Sequence, residues 1–404
     1  MTVRLYYSDP SKREFDATIA GVVDHDGRPA VRLDQTAFYP TSGGQPFDTG
    51  TLAIKDGAVL EIVDVVDSDD GGVLHVVSEL PAGAASGQQV HGEIAWGRRF
   101  DHMQQHTGQH LLSAAFDRLF GARTVSFHLG AEACTIDLSR EAAAREIAAA
   151  EAEANRIIWD DRPVSIRFVT SEEAAQLPLR KEPAREGLLR LIEIERFDLS
   201  ACGGTHVERT GAVGLIAATG WERFKGGQRL EFVCGGRALA RFQSLRDHVT
   251  AATRRLSVLP GEIGAAVERL QNEAKDLKRT ALALKTDLAR FRAAEMEASA
   301  EKVREALAIC GVVEGDMAWL KLLAAAFTAR PGRIAVLVSK ESPSGVVVAA
   351  SPDTGVAANT VLTRLMGSFG GRGGGKEDLA QGGGLSAAPE TVVEEARSLI
   401  AALL

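Results

Sequence analysis

Two short stretches carry four side chains of the kind that hold a divalent metal. The first is Gln105-His106-Thr107-Gly108-Gln109-His110, and the second is Ala201-Cys202-Gly203-Gly204-Thr205-His206-Val207. Each offers two nitrogen or sulfur donors four positions apart. On a helix that spacing puts two side chains on one face, a turn apart. The second stretch cannot be a helix interior, because Gly203-Gly204 breaks it. It is expected to be a tight turn that brings a thiolate and an imidazole together. Three imidazoles and one thiolate (His106, His110, His206 and Cys202) suit Zn2+, which takes N and S donors tetrahedrally. A lone His pair at this spacing also occurs on ordinary helix surfaces, and a lone buried Cys is usually a small apolar residue. Taken together, the two stretches specify one shared site. Four protein donors describe a closed structural zinc, whereas a catalytic zinc keeps a position open, so both readings stand at this point.

The elements that must position these donors are legible in outline. Leu111, Leu112, Ala115, Phe116 and Leu119 give an apolar stripe at helical spacing, so Asp101 to about Phe120 is read as a helix. Residues 1–95 hold short alternating apolar runs separated by Gly/Asp turns, the pattern of a small β-barrel or meander. Within them, Thr36 offers a hydroxyl to a small polar substrate, and Gly43 and Gly44 permit close backbone approaches. A plain structural turn fits the same residues. Residues 96–245 form an α+β core, with Val125–Gly130 and Cys134–Leu138 as a hairpin, Glu141 to Trp159 as a helix, and strands at Val164–Phe168 and Leu191–Phe197.

From 246 to 305, Ile263, Val267, Leu270, Ala274, Leu277, Ala281, Leu284, Leu288 and Phe291 alternate spacings of four and three, a sustained heptad seam. A coiled coil is expected, with a second copy of the chain as partner or the helix around Arg237–Arg255 in its place. Residues 306–404 read as an α/β domain with buried strands at Arg333–Val338 and Gly345–Ala350. The whole is expected to be α+β and multidomain.

Composition narrows the classes. The chain has 404 residues, with 46 Lys and Arg against 54 Asp and Glu, for a formal net charge of −8. A globally basic nucleic-acid binder is excluded, so local patches must carry any RNA contact. One candidate is the stretch from Trp221 to Arg241, with Arg223, Lys225, Arg229, Arg237 and Arg241, although an ordinary solvated face has the same charge pattern. Another is Gly370–Gly384, where Arg372 and Lys376 among glycines make either a phosphate cradle or a flexible loop. Gly370–Lys376 matches G-x-x-x-x-G-K, but Glu377 stands where a P-loop needs Ser or Thr. Cysteines 134, 202, 234 and 310 are too scattered for a disulfide framework. Without a signal-like start or a run of about eighteen apolar residues, a soluble cytoplasmic protein with no membrane contact is expected.

The motif His-x-x-x-His followed by Cys-Gly-Gly-Thr-His-Val resembles the editing domain of alanyl-tRNA synthetases and their free-standing relatives, the AlaX proteins. Threonyl-tRNA synthetase editing domains share the ligand pattern. Leu33–Pro46 resembles the glycine-rich motif of the longer AlaX proteins, with Ser42 where free-standing relatives often carry glycine. Ser126-x-His128 resembles a segment near the family's pocket, Gln228–Ala238 the basic turn and strand that close the editing core, and Gly370–Gly384 the signature of the DHH-associated C-terminal domain. The resemblance therefore spans nearly the whole chain.

The resemblance implies a trans-editing hydrolase that cleaves the ester of Ser-tRNA(Ala), with Gly-tRNA(Ala) as a second substrate. Thr36 would pair the serine hydroxyl, with Gly43, Gly44, Gln45, Ser126 and His128 around the substrate. Gln109 and Thr205, flanking the ligands, would orient water or substrate. Arg229, Arg237, Arg372 and Lys376 would contact RNA. The chain begins where the synthetase editing region would begin, so no amino-acid activation is expected. Two other readings fit the residues: a non-catalytic tRNA-binding protein with structural zinc, and a zinc-dependent hydrolase of small aminoacyl esters or amides.

Overall fold

A computed structural model describes residues 2–55, 57–81, 84–181, 187–340 and 343–404. It divides into two compact units, Met1–Ala251 and Ala252–Leu404.

The first unit opens with a closed barrel. A two-residue strand β1 (Val3–Arg4) pairs in parallel with β4 (Gln35–Thr36), and between them run β2 (Glu14–His25) and β3 (Arg28–Leu33). β5 (Gly50–Ile54), β6 (Val59–Asp67), β7 (Val73–Val77) and β8 (Gln89–Ile94) complete the barrel in the order β2-β3-β7-β6-β5-β8. Strict alternation sends Phe15, Ala17 and Ile19 of β2 inward to meet Leu33, Phe38, Leu52 and Ile62, as a half-buried strand requires.

Helix α1 (Trp96–Phe120) is the axis of the unit. It starts before Asp101, because Trp96 stacks on Phe100 and both pack against the core. Every residue from His102 to Phe116 is buried. The helix is therefore surrounded, not amphipathic, and only Leu119 of its predicted stripe is exposed.

Around α1 lie β9 (Thr124–Leu129), β10 (Cys134–Leu138), α2 (Ala144–Trp159), β11 (Val164–Val169), the single turn α3 (Ser171–Ala174), β12 (Leu189–Ile194), β13 (Asp198–Ala201), β14 (Ile216–Phe224) and β15 (Gly227–Cys234). The predicted strand to Phe197 instead ends at Ile194 and turns back into β13, with Arg196 in the left-handed region at φ 55°. A four-stranded sheet β14-β15-β10-β9 and a three-stranded sheet β11-β12-β13 result. One face of the four-stranded sheet supplies Leu129, Ile136, Leu230 and Phe232 to a core shared with α1 and α2.

α4 (Gly235–Leu256) leads to α5 (Ile263–Glu297), which carries the heptad seam. The second unit then adds β16 (Glu301–Val303), β17 (Ala306–Val313), α6 (Met317–Thr328), β18 (Arg333–Ser339), β19 (Ser344–Ala350), α7 (Ala358–Phe369), β20 (Arg372–Gly375), β21 (Leu379–Leu385) and α8 (Pro389–Leu403). Its sheet runs β16-β17-β18-β19-β21-β20, parallel only between β17 and β18. α7 and α8 cover one face, while α6 and the end of α5 cover the other. Leu277, Leu284, Leu288 and Phe291 of the seam stay exposed, Leu277 by 70% and Phe291 by 72%.

The glycine-rich stretch after α7 is not an irregular loop. It is the β20–β21 hairpin at the sheet edge. A side chain at Gly373 would overlap the backbone of Gln381 and Gly382 and crowd Leu362 of α7, so glycine is needed there for close packing.

Candidate metal centre

His106 and His110 project from α1, and Cys202 and His206 from the turn that follows β13. Their donor atoms all lie within 4.8 Å of one another. Cys202 Sγ is 3.4 Å from the Nε2 atoms of both His106 and His206. A tetrahedron with Zn–S near 2.3 Å and Zn–N near 2.0 Å has an S···N edge of about 3.5 Å. The donor set and these two spacings fit a metal ion of that size.

Each imidazole is held from behind. His106 Nδ1 donates to Gln45 Oε1 at 2.8 Å, His110 Nδ1 to Asp198 Oδ2 at 2.8 Å, and His206 Nδ1 to Thr107 Oγ1 at 3.1 Å. With Nδ1–H occupied, every Nε2 lone pair is left for the centre, which is the role such outer partners play around metals. These partners are anchored in turn. Asp198 receives Arg180 Nε at 2.6 Å and the Ser200 hydroxyl at 3.1 Å. Gln45 donates to Thr205 Oγ1 at 2.8 Å and accepts from Thr205 N at 3.1 Å.

The turn itself is clamped by Arg190, whose Nη1 donates to the carbonyls of Cys202 at 2.7 Å and Gly204 at 2.9 Å. Gly204 N points at Cys202 Sγ. A Cβ at Gly204 would overlap the His106 ring, so the second glycine of the motif is a packing requirement.

Charge follows from this packing. Burial alone would raise the Cys202 thiol, but His106 and His206 beside it bring it well below its ordinary value. Burial holds His206 down to about 3. His110 is also pushed down by burial, yet its bond to Asp198 wins and leaves it raised. The site thus favours a thiolate and neutral imidazole at His206, the protonation states that bind metal.

A cavity of about 370 Å³ opens beside the cluster, walled by His106, His110 and Cys202 but not by His206. Gly43, Gln109 and Ser126 also line it, as do Tyr39, Thr124, Arg180, Lys181 and Ser200, which sequence reasoning passed over. Among the described residues no carboxylate lines it. Gln109 Nε2 donates to Ser113 Oγ at 2.8 Å, and Thr124 Oγ1 donates to the same oxygen at 2.7 Å. The Gln109 amide oxygen is left as an acceptor.

Other predicted residues lie elsewhere. Thr36 is fully buried in the barrel unit. Its hydroxyl donates to His75 Nε2 at 2.8 Å and accepts from Phe38 N at 3.1 Å, so it has no hydroxyl to offer a ligand. Gln45 and Thr205 are buried behind the ligands and bond each other. Gly44 packs on the Phe127 backbone. His128 is exposed and sits opposite Thr135 in the β9–β10 register, away from the cavity lining.

The RNA-contact candidates also divide. Arg237 is spent internally, bonded to Asp101 at 2.6 Å and to the Gly130 carbonyl at 2.7 Å. Arg229 forms a two-bond pair with Asp137. Arg372 is exposed on β20, and Lys376, also exposed, borders a cavity of about 790 Å³ together with Asn359 and Asp378.

Comparison with known proteins finds three family matches along the chain. The class II tRNA synthetase (A) family matches residues 11–98, the threonyl and alanyl tRNA synthetase second additional domain matches 189–231, and the DHHA1 domain matches 308–404. The alanine–tRNA ligase of Pyrococcus abyssi is 36% identical over 390 residues, covering 94% of this chain and 42% of the ligase. The chain thus spans less than half the length of such ligases. The C-Ala domain of Aquifex aeolicus alanyl-tRNA synthetase aligns over 25% of this chain and 97% of its own, at 25% identity and a TM-score of 0.24, too low to carry a structural argument. The alanyl-tRNA editing protein AlaX-L of Pyrococcus horikoshii is 30% identical over 406 residues, 98% of either chain. By that end-to-end likeness, the chain belongs to the family of alanyl-tRNA editing protein AlaX-L.

Proposed function

We propose that the protein is a zinc-dependent aminoacyl-tRNA deacylase that removes serine, and also glycine, from mischarged tRNA(Ala). The observation that carries this is the convergence of His106, His110, Cys202 and His206 beside a cavity that the first three wall, each imidazole oriented by a buried partner. Membership of an editing family supplies the substrate class. Zinc held there would polarise the ester carbonyl or lower the pKa of a water.

The chain's own residues do the rest. The Gln109 amide oxygen accepts a hydrogen bond from the attacking water or from the substrate. Arg180 and Lys181 on the cavity wall favour the anionic acceptor end. Since Thr36 is committed to His75, the serine hydroxyl is read on the cavity wall by the hydroxyl of Ser126, with Thr124 and Ser200, which already donate to Ser113 and Asp198, offering only acceptor oxygens. A wall that pairs this hydroxyl leaves buried groups unpaired when alanine is bound, which is the stronger direction of discrimination.

We read the chain as four working parts: the barrel to residue 95, the editing core 96–245, a helical segment 246–305 and an RNA-holding domain 306–404. The exposed seam of α5 pairs with a second copy as a coiled coil, and the protein acts in the cytoplasm.

The test is deacylation of Ser-tRNA(Ala) against Ala-tRNA(Ala) by metal-loaded and chelator-treated protein. Metal-dependent loss of serine with alanine spared is the expected result. A second reading rests on the four protein donors, which fill a tetrahedral site as structural zinc does. RNA binding without cleavage of either substrate would favour it.

A further inference from the structure

We propose that the acceptor strand leaves the metal-facing cavity across the edge strand β9 and is gripped in a second cavity, where a nucleobase stacks on the Phe224–Arg229 pair. This rests on the deacylase reading above and extends it to the nucleotides preceding the terminal adenosine.

The register of the sheet places the parts. Ser126 lies opposite Asp137, Asp137 opposite Arg229, and Arg229 opposite Glu222, so these side chains form one row on one face. Their neighbours Phe127, Ile136 and Leu230 point the other way, into the core under α1. The row therefore belongs to the open face of the sheet.

A cavity of about 390 Å³ lies on that face, lined by Asp137, Phe224, Lys225 and Arg229, and by Val125 and Ser126. Val125 and Ser126 also wall the metal-facing cavity. The two cavities thus adjoin across β9, an edge strand with no neighbour beyond it in the sheet. At about 370 Å³, the first cavity is the size of a small-ligand site. It suits the aminoacyl group and terminal sugar, and the preceding nucleotides must leave over its rim.

The chemistry of the second cavity suits a base. The Arg229 guanidinium carbon lies 3.7 Å from the Phe224 ring centroid, and Asp137 fixes its plane through bonds of 2.7 and 2.8 Å. The result is a flat, preorganised stacking surface. Asp137 neutralises Arg229, so the surface favours a base's π-face over a phosphate. Lys225 Nζ, 5.1 Å from the same ring, is exposed and makes no ion pair among the described residues. It sits at φ 47° beside Gly226 at φ 80°, the two-residue turn that joins β14 to β15 and presents it to solvent. Aromatic stacking beside a cation is how proteins hold single-stranded nucleic acid without sequence readout.

The test uses fluorescence anisotropy of a short labelled single-stranded RNA ending in CCA, with the full chain. Phe224→Ala is expected to weaken binding about tenfold, and Phe224→Tyr to retain it. Lys225→Glu, at an exposed turn, should weaken binding severalfold and reduce its salt dependence by about one charge. If Phe224→Ala misfolds, the tyrosine and Lys225→Glu variants decide the matter. Unchanged affinity in Phe224→Ala and Lys225→Glu, or no RNA binding by the unmodified chain, overturns the proposal. Cleavage of the serine ester of adenosine by the unmodified protein tests the deacylase reading alone, because that substrate lacks the stacked nucleotide.

Discussion

The candidate metal centre and the β20–β21 hairpin both depend on glycine, yet they are built in opposite ways. At the centre, Gly204 lets a turn press against the His106 ring, and each of the three imidazoles has a buried partner. In the hairpin, Gly373 lets a strand press against its neighbour and α7, but the side chains of Arg372 and Lys376 make no hydrogen bond or ion pair among the described residues. The first arrangement fixes donor atoms before a ligand arrives, as bond-making chemistry needs. The second leaves long cations free, as contact with a phosphate backbone tolerates.

Substitutions should divide along the same line. The largest effect is expected where the barrel meets α1. Arg99, fully buried, pairs with Asp48 and also donates to the carbonyls of Ala37 and Pro10. Asp48→Ala strands that cation, and chemical denaturation should show a loss of about 3–5 kcal/mol. A loss under 1 kcal/mol would mean that the anchored region is not rigidly held.

Next comes a pH effect confined to the same unit. Burial holds His75 at about 4 in the folded protein, against an ordinary value near 6.5. Between those values the unfolded chain takes up a proton that the native chain refuses. Stability from this group is therefore complete above pH 6.5 and falls as pH drops towards 4, by about 3 kcal/mol in all. Denaturation of His75→Gln alongside the parent between pH 7 and 5 should show a flatter slope in the variant.

A smaller change is expected from Asp198→Asn, which keeps the shape but weakens the hold on His110. Competition with a chromophoric chelator should show metal affinity reduced about 10- to 100-fold. The mildest effect belongs to the hairpin. Replacing Arg372 and Lys376 together by alanine should leave metal content and melting temperature unchanged. It should lower the salt dependence of tRNA binding by about two charges. A drop in melting temperature there would break the contrast.

The two regions also differed in how far the sequence revealed them. The donors were legible because His-x-x-x-His and Cys-x-x-x-His state their chemistry by type and spacing. Their supports were not. Asp198 is one acidic residue after a turn, and its tie to His110 exists only once β13 lies beside α1. Gln45 was read as a substrate contact because it lies in the stretch that resembles the family's glycine-rich motif, and its bonds to His106 and Thr205 depend on the barrel seating against the core. Thr36 misled for the same reason, since its partner His75 is distant in sequence and adjacent only in the closed barrel.

The hairpin was missed because glycine has no strand propensity. Pairing with β19 and packing on α7 impose the extended form there. α1 began earlier than its apolar pattern suggested because aromatic packing at Trp96 and Phe100 extends it. The α5 helix, by contrast, was legible from spacing alone and needed no tertiary knowledge.

The most direct test of the central claim is the metal content of the purified protein and of a His106→Ala, Cys202→Ala double variant, by elemental analysis after gel filtration. The account predicts one zinc per chain in the parent and none in a folded variant. Stoichiometric zinc retained by the variant would contradict it.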